Sequence, residues 1–353
     1  MKPVNLSRVH TARFFILVIC CTAIIFAQDK STLGIQWQEV SGNPTLVGGP
    51  CLSWMCAGVS DPTIVQNLNG TVSAWFTTVG IQKIGPNSYV ADGPYTGWAS
   101  EAIGNSGVTL STGTGATIPV GSPGLWDRYI ETPTVRYNPG SSLPTMWYVG
   151  YSALGFASSA IGQMTANDPN GTTWTRPAAP IYRPSPSAWD GILVTGPTVV
   201  HGPDGLWRLY YTGIGTKLGI GLLTSLDGMN WTPYANNPVL EPEPNAWDDQ
   251  ILEQCVIYTN GQYWMWYSGY RGQLNNSTSI AIGLATSPDG EHWTRYSGNP
   301  VLLPGAPGSW DDLRVVAPDV LVEPDGSLLM AAYGQAQTDI GRSAGSIGFW
   351  RSH

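Results

Sequence analysis

Three carboxylates stand where a repeated pattern otherwise places different residues: Asp61, Glu131 and Glu253. Carboxyl groups brought into one cleft can divide labour. One that holds its proton tightly donates it to a leaving oxygen, while another, ionised, activates water or attacks carbon. That chemistry needs acids placed individually, so residues occurring once are better candidates than residues present in every repeat.

The repeat that makes these acids visible is marked by a Trp-Asp pair, at Trp126-Asp127, Trp189-Asp190, Trp247-Asp248 and Trp310-Asp311, spaced 63, 58 and 63 residues apart. A proline slot follows each Trp by 7 or 8 residues, reading Pro133, Pro197, Cys255 and Pro318, and Trp54 to Pro62 forms a fifth copy without the Asp. Each copy continues with an apolar strand, a glycine turn and an aromatic strand (WRLYYTG, YWMWYSG). A strand of small residues (GIGLLTS, AIGLATS), a tight turn and a short outer strand complete it. Four antiparallel strands per unit of about 60 residues predict a β-propeller blade. The fold expected is therefore all-β, a five-bladed β-propeller of four-stranded antiparallel blades. The segment Trp37–Pro44 matches Trp293–Pro300 in spacing, while the last copy lacks an outer strand. Residues 35–41 are thus expected to complete the fifth blade and close the ring, removing an exposed edge.

Repetition acts as a filter. The aspartates of the Trp-Asp pairs, and Asp227 and Asp289 in the SxDGxxW turns, read as structural. The position before the proline slot reads Asp61, Thr132, Gly196, Gln254 and Ala317, and one position earlier reads Ser60, Glu131, Thr195, Glu253 and Val316. The three acids therefore mark the starts of innermost strands and should converge at one mouth of a channel. His201 falls at the other end of its strand.

Composition narrows the partners. The 353 residues include 43 Gly, 28 Pro, 16 Trp and 16 Tyr, with only 11% charged and a net charge of -8, which argues against a nucleic-acid partner. Lys2, Arg8 and Arg13 precede an apolar run from Phe14 to Phe26, read as a signal peptide over residues 1–27, with a single domain over 28–353 and a secreted or periplasmic location. Lipidation at Cys20 or Cys21 and an uncleaved anchor are the alternatives. Beyond residue 28 nothing reads as membrane-spanning. Of the remaining cysteines, Cys51 and Cys56 could close a small loop and leave Cys255 free; other pairings and three free thiols stay open. No metal-ligand cluster or phosphate-binding glycine loop occurs, so neither metal nor cofactor is expected.

The SDPTIV segment around Asp61 resembles the catalytic-base motif of the furanosidase-type clan of five-bladed propeller glycosidases, which includes arabinanases, β-xylosidases and invertases. Glu253, in Glu253-Gln254-Cys255, stands at the place of the clan's general acid. The resemblance implies a glycoside hydrolase in which Asp61 is base and Glu253 acid, acting across the mouth with inversion, on plant or microbial oligo- or polysaccharide. It also implies a third carboxylate just before the third-blade proline, where this chain has Gly196; Glu131 is the candidate to substitute. Trp54, Trp98, Tyr270 and Arg271 are candidate substrate contacts, with Tyr95, Glu101, Gln335 and Gln337 nearby in the loops joining second and third strands. A monomer is expected. The alternative class is a non-catalytic glycan-binding or interaction propeller, favoured by Gly196 as the single Asp61 and Glu253 favour the enzyme.

Overall fold

The computed structural model describes residues 32–48, 58–67, 71–85, 88–104, 107–108, 111–112, 116–153, 158–339 and 345–353, with backbone alone over 81–112. The signal segment, Trp54, Cys51 and Cys56 lie outside the described residues. The chain is all-β, and its strands pair almost entirely antiparallel in sequence order.

Every repeat contributes an inner strand: Val59–Gln66, Tyr129–Tyr137, Leu193–His201, Gln250–Thr259 and Arg314–Val322. Each pairs with the aromatic second strand that follows it, such as Trp207–Ile214 or Gln262–Tyr270, and that strand pairs with a third, such as Leu218–Ser225 or Ile280–Ser287. The second strands are buried on both faces, Pro144–Tyr151 along its whole length. This explains why they read as unbroken runs of aromatic and aliphatic residues instead of alternating.

The repeated residues lock each unit internally. Asp127, Asp190 and Asp248 are fully buried and accept hydrogen bonds from Tyr148, Tyr211 and Tyr267 at 2.8 Å. Each tyrosine ring lies across a third-strand glycine: a methyl group on Gly162, Gly221 or Gly283 would sit 2.4, 2.5 or 2.7 Å from the ring. The glycine of each third strand is therefore there to admit the ring that reaches the buried aspartate.

Between units the inner strands are tied by side chains. Asp319 is the most connected: it accepts from Thr63 Oγ1 (2.9 Å) and Ile64 N (2.7 Å) of the first repeat, Arg136 Nη2 (2.6 Å) of the second and Cys255 Sγ (3.1 Å) of the fourth. Cys255 is buried and free. Gln254 Nε2 donates to Gly196 O at 2.6 Å, and Thr134 Oγ1 to Pro197 O at 2.5 Å.

At the termini, Gln38–Glu39 pairs antiparallel with Trp350 and Arg351 on the third strand of the last repeat, Ser346–Ser352. In the first repeat, Thr71–Gly85 and Ser88–Gly104 form one long hairpin, so the stretch expected as a loop is strand.

Replacing Asp319 with alanine strands the Arg136 guanidinium and three other donors, Thr63 Oγ1, Ile64 N and Cys255 Sγ. Urea unfolding should show a loss of about 3–5 kcal/mol, and Asp319→Asn, which keeps two acceptor electron pairs but not the charge, a smaller one.

Candidate active site

Each inner strand carries a bulge near its start, and at each bulge one residue adopts a left-handed backbone: Asp61 (φ 48°), Thr132 (49°), Gly196 (57°), Glu253 (42°) and Ala317 (53°). Such a conformation costs about 1 kcal/mol or more outside glycine. It is held in place from the neighbouring repeat. Thr77 Oγ1 accepts from Thr132 N at 2.9 Å, Thr212 Oγ1 from Glu253 N at 2.8 Å, and Ser268 Oγ from Ala317 N at 2.9 Å.

The pairing register corrects the alignment of the fourth repeat. Cys255, opposite Trp266, corresponds to Thr134 opposite Trp147, so Gln254 takes the proline slot and Glu253, and not Gln254, is the counterpart of Asp61. A spacing of 7 or 8 from the Trp fits either alignment; the register of the aromatic strand decides between them.

Asp61, Glu253, Gly196, Thr132 and Ala317 together line one mouth, with Asp319 also in its lining. Glu131 precedes the left-handed Thr132 by one residue. Its carboxylate accepts a hydrogen bond from Tyr151, whose ring stacks on Tyr129 at 5.7 Å.

The three acids sense one another. Burial, then the charges of Asp61 and Glu131, push Glu253 well above the usual carboxylate range. Glu131 rises to about 7, mainly through burial, with the Tyr151 hydrogen bond opposing and Asp61 adding. Asp61 is also raised by burial, but hydrogen bonds from Thr77 and Ser60 pull it back. Of the two acids lining the mouth, Asp61 has hydrogen bonds favouring its ionised form, whereas only burial and like charges act on Glu253.

Gly196 has a specific reason to lack a side chain. A Cβ there would lie 3.1 Å from Glu253 Cγ and 3.3 Å from its Cα, so the space a third-repeat acid would need is filled by Glu253 itself.

Other candidates are distributed unevenly. Tyr270 ends its strand at the mouth side, is buried, and lies within the field of Glu253; Arg271 follows it, exposed, donating to Asn245 O at 3.2 Å. Trp98 pairs with Trp75 in the body of the first sheet, three positions from Tyr95 at the mouth end, and Glu101 is farther still, opposite Val72. This register counts against Trp98 as a contact at the mouth. His201 stacks on Trp207 at the opposite end of the strands. Sequence reasoning missed Tyr151, Thr77 and Asp319. Asp319 carried a usable signal: it breaks a row that otherwise reads Thr63, Thr134, Thr198 and Cys255. Among the described residues, no group of three or more His, Cys, Asp or Glu is arranged to hold a metal.

In fold the chain is similar to several solved structures of glycoside hydrolases. A thermostable family-43 glycoside hydrolase superposes with a TM-score of 0.63 at 17% identity, covering 86% of this chain and 92% of its own. A glycosyl hydrolase from Bacteroides ovatus gives 0.63 at 14% identity, covering 89% and 92%. A structure from the GH130 family of mannoside phosphorylases, a family containing glycoside hydrolases that target β-1,2 mannosidic linkages in Candida mannan, gives 0.61 at 17% identity, covering 89% and 93%. No family model matches the sequence. Two uncharacterized proteins of Mycobacterium tuberculosis, from strains CDC 1551 and H37Rv, are 32% identical over 84 residues, which is 24% of this chain and 28% of the length of each relative.

Two measurements follow from this geometry. Gly196→Ala places a methyl against Glu253 on a left-handed backbone and should cost about 1–2 kcal/mol in urea unfolding. Glu131 binds its proton more tightly folded than unfolded, so its contribution to stability is full below about pH 4.5 and is lost as pH rises through about 7. Glu131→Gln should therefore raise the thermal midpoint at pH 8, by about 2–5 °C, and leave it nearly unchanged at pH 4.

Proposed function

We propose that this protein is a glycoside hydrolase built as a five-bladed β-propeller over residues 28–353, its ring closed by Gln38–Glu39 completing the last blade. The observation that carries the reading is the convergence at one mouth of Asp61 and Glu253, on equivalent strained residues, with Glu131 beside them. The likeness of the fold to glycoside hydrolases supports it.

The environments assign the roles. Glu253, which keeps its proton farthest above the usual range, is the general acid that protonates the leaving oxygen. Asp61, whose ionised form accepts hydrogen bonds from Thr77 and Ser60, is the base that takes a proton from water as it attacks the sugar carbon. Inversion follows if the two stand far enough apart for that water, about 6.5–9.5 Å. Glu131, oriented by Tyr151, adds negative charge that keeps Glu253 protonated, the task that Gly196 leaves open. The substrate is an oligo- or polysaccharide, with Tyr270 and Arg271 at the rim. The N-terminal apolar run supports export of a monomer, which N-terminal sequencing and sizing of the mature protein would check.

Hydrolysis of arabinan, xylan, fructan and aryl-glycoside panels tests the assignment. Asp61→Asn and Glu253→Gln should each lower kcat by at least about 100-fold; activity surviving both would sink it. A protein inert on every substrate yet retained on a glycan column would instead support a non-catalytic binding propeller. The rate should be bell-shaped in pH, requiring Asp61 ionised and Glu253 protonated. Glu131→Gln removes a charge that raises Glu253, so the alkaline limb should move to lower pH.

A further inference from the structure

Among the residues whose side chains are described, most lysines and arginines have a carboxylate partner. Arg136, Arg176, Arg208, Arg295 and Arg351 pair with Asp319, Asp127, Asp204, Asp248 and Glu323, and Lys217 with Glu241. Among the described residues, Arg128, Arg183, Arg271 and Arg314 have none. All four lie toward the end of the strands that holds Asp61 and Glu253. Arg128 immediately precedes the inner strand Tyr129–Tyr137, Arg271 follows the second strand Gln262–Tyr270, and Arg314 begins the inner strand Arg314–Val322. Arg183 donates to Ser158 O, just ahead of the third strand Ala160–Thr165.

Tyrosine side chains stand between these arginines and the acids of the site. Arg128 lies over the ring of Tyr129 at 5.1 Å, Tyr129 stacks on Tyr151, and Tyr151 donates to Glu131, so two rings separate this guanidinium from the carboxylate. Arg314 acts on Tyr333, which feels both Asp61 and Glu253. Arg271 follows Tyr270 in the chain, and Tyr270 feels the charge of Glu253. The second, fourth and fifth repeats thus each bring an arginine and a tyrosine to this side.

Arg314 is the most telling. It is buried, its Nη2 donates only to the backbone carbonyls of Asn275 (3.2 Å) and Asn276 (2.6 Å), and its Nε is buried without an acceptor. Arg128 Nε is likewise buried and unpartnered. A buried guanidinium without an anion is costly to hold. These arginines do not offset the acids of the site either: Asp61, Glu131 and Glu253 are governed by burial, by hydroxyl hydrogen bonds and by one another. Acids on the same side form no ion pair with these arginines. Asp249 accepts from Gly272 N, Asp312 accepts from Gly308 N and Gln337 N, and Asp339, whose charge reaches Tyr333, lies in the short turn Gln337–Asp339.

We infer that the site takes a carboxylate-bearing glycan, in which uronic acid units flanking the cleaved bond are held by Arg128, Arg271 and Arg314. The inference rests on the glycosidic reading above and deepens it. A guanidinium offers a planar fork to a carboxylate, giving two parallel hydrogen bonds and fixing the sugar's orientation. With the scissile oxygen between Asp61 and Glu253, the neighbouring sugar would extend over these tyrosines toward the arginines. The tyrosine faces between them suit the C–H faces of that sugar.

The test uses the Asp61→Asn protein, so that substrate is bound and not consumed. Affinity electrophoresis compares glucuronoxylan and pectic rhamnogalacturonan with the same polymers after chemical reduction of their carboxyl groups to alcohols. At least one native polymer should bind about tenfold or more tightly than its reduced form, and less tightly as salt rises. Arg128→Gln, Arg271→Gln and Arg314→Gln should each erase much of that preference, and Arg314→Lys should retain part of it. Arg271 is exposed, so its variant reports on binding with the fold unperturbed, and circular dichroism checks the other two. Equal binding of native and reduced polymers, binding of neither, or a preference that survives all three Gln substitutions would overturn the inference. So would release of a sugar phosphate on adding inorganic phosphate, which would assign the arginines to that anion. Hydrolysis by the wild type is scored separately. Charge-selective binding without hydrolysis removes only the enzymatic reading, and hydrolysis without charge selectivity removes only this one.

Discussion

The carboxylate of Asp319 is the fixed point on which the rest of the architecture depends. Four inner strands meet at its two oxygens, through Thr63, Ile64, Arg136 and Cys255. In a core of aromatic and aliphatic side chains, contacts between units are adaptable and would tolerate small rotations of one sheet against the next. A buried charge with several donors does not, because any rotation leaves part of it unsatisfied. Asp319 also lines the mouth, so the strands carrying Asp61 and Glu253 are referenced to the same atoms.

At the mouth, the site is made by backbone strain more than by loops. Five inner strands bend through a left-handed residue at equivalent positions, and the fold holds that bend whatever side chain occupies it. Two of these positions carry acids, and three carry Thr132, Gly196 and Ala317. The arrangement separates the cost of the bend, shared by all repeats, from the chemistry, which a substitution at one repeat can alter without rebuilding the others. Gly196 shows that the positions are nonetheless coupled in space: leaving it bare is what gives the Glu253 side chain its room.

Much of this was legible in the sequence, for physical reasons. The Trp-Asp pair, the tyrosine and the third-strand glycine recur because one packing problem recurs, and a repeated constraint leaves a repeated trace. The acids were found as breaks in that trace. What stayed hidden depended on pairing register and on side chains meeting across distant repeats. A spacing of 7 or 8 from Trp247 fits either Gln254 or Cys255 in the proline slot, so counting placed both one position out until the register of Cys255 with Trp266 was known. Trp98 read as part of a loop because its segment is long, whereas the register puts it in the body of the sheet. Tyr151 looks like any aromatic of a second strand, and only its hydroxyl's meeting with Glu131 distinguishes it.

The pairing of Gln38–Glu39 with Trp350 and Arg351 bears on how the chain reaches this state. Its partners are separated by more than three hundred residues, among the longest loop closures the chain can make. During synthesis the early strand emerges long before its partner exists, so the last sheet must stay incomplete until Ser346–Ser352 has been made. A molecule assembled in this order is slow to lock, because its most distant contacts come last.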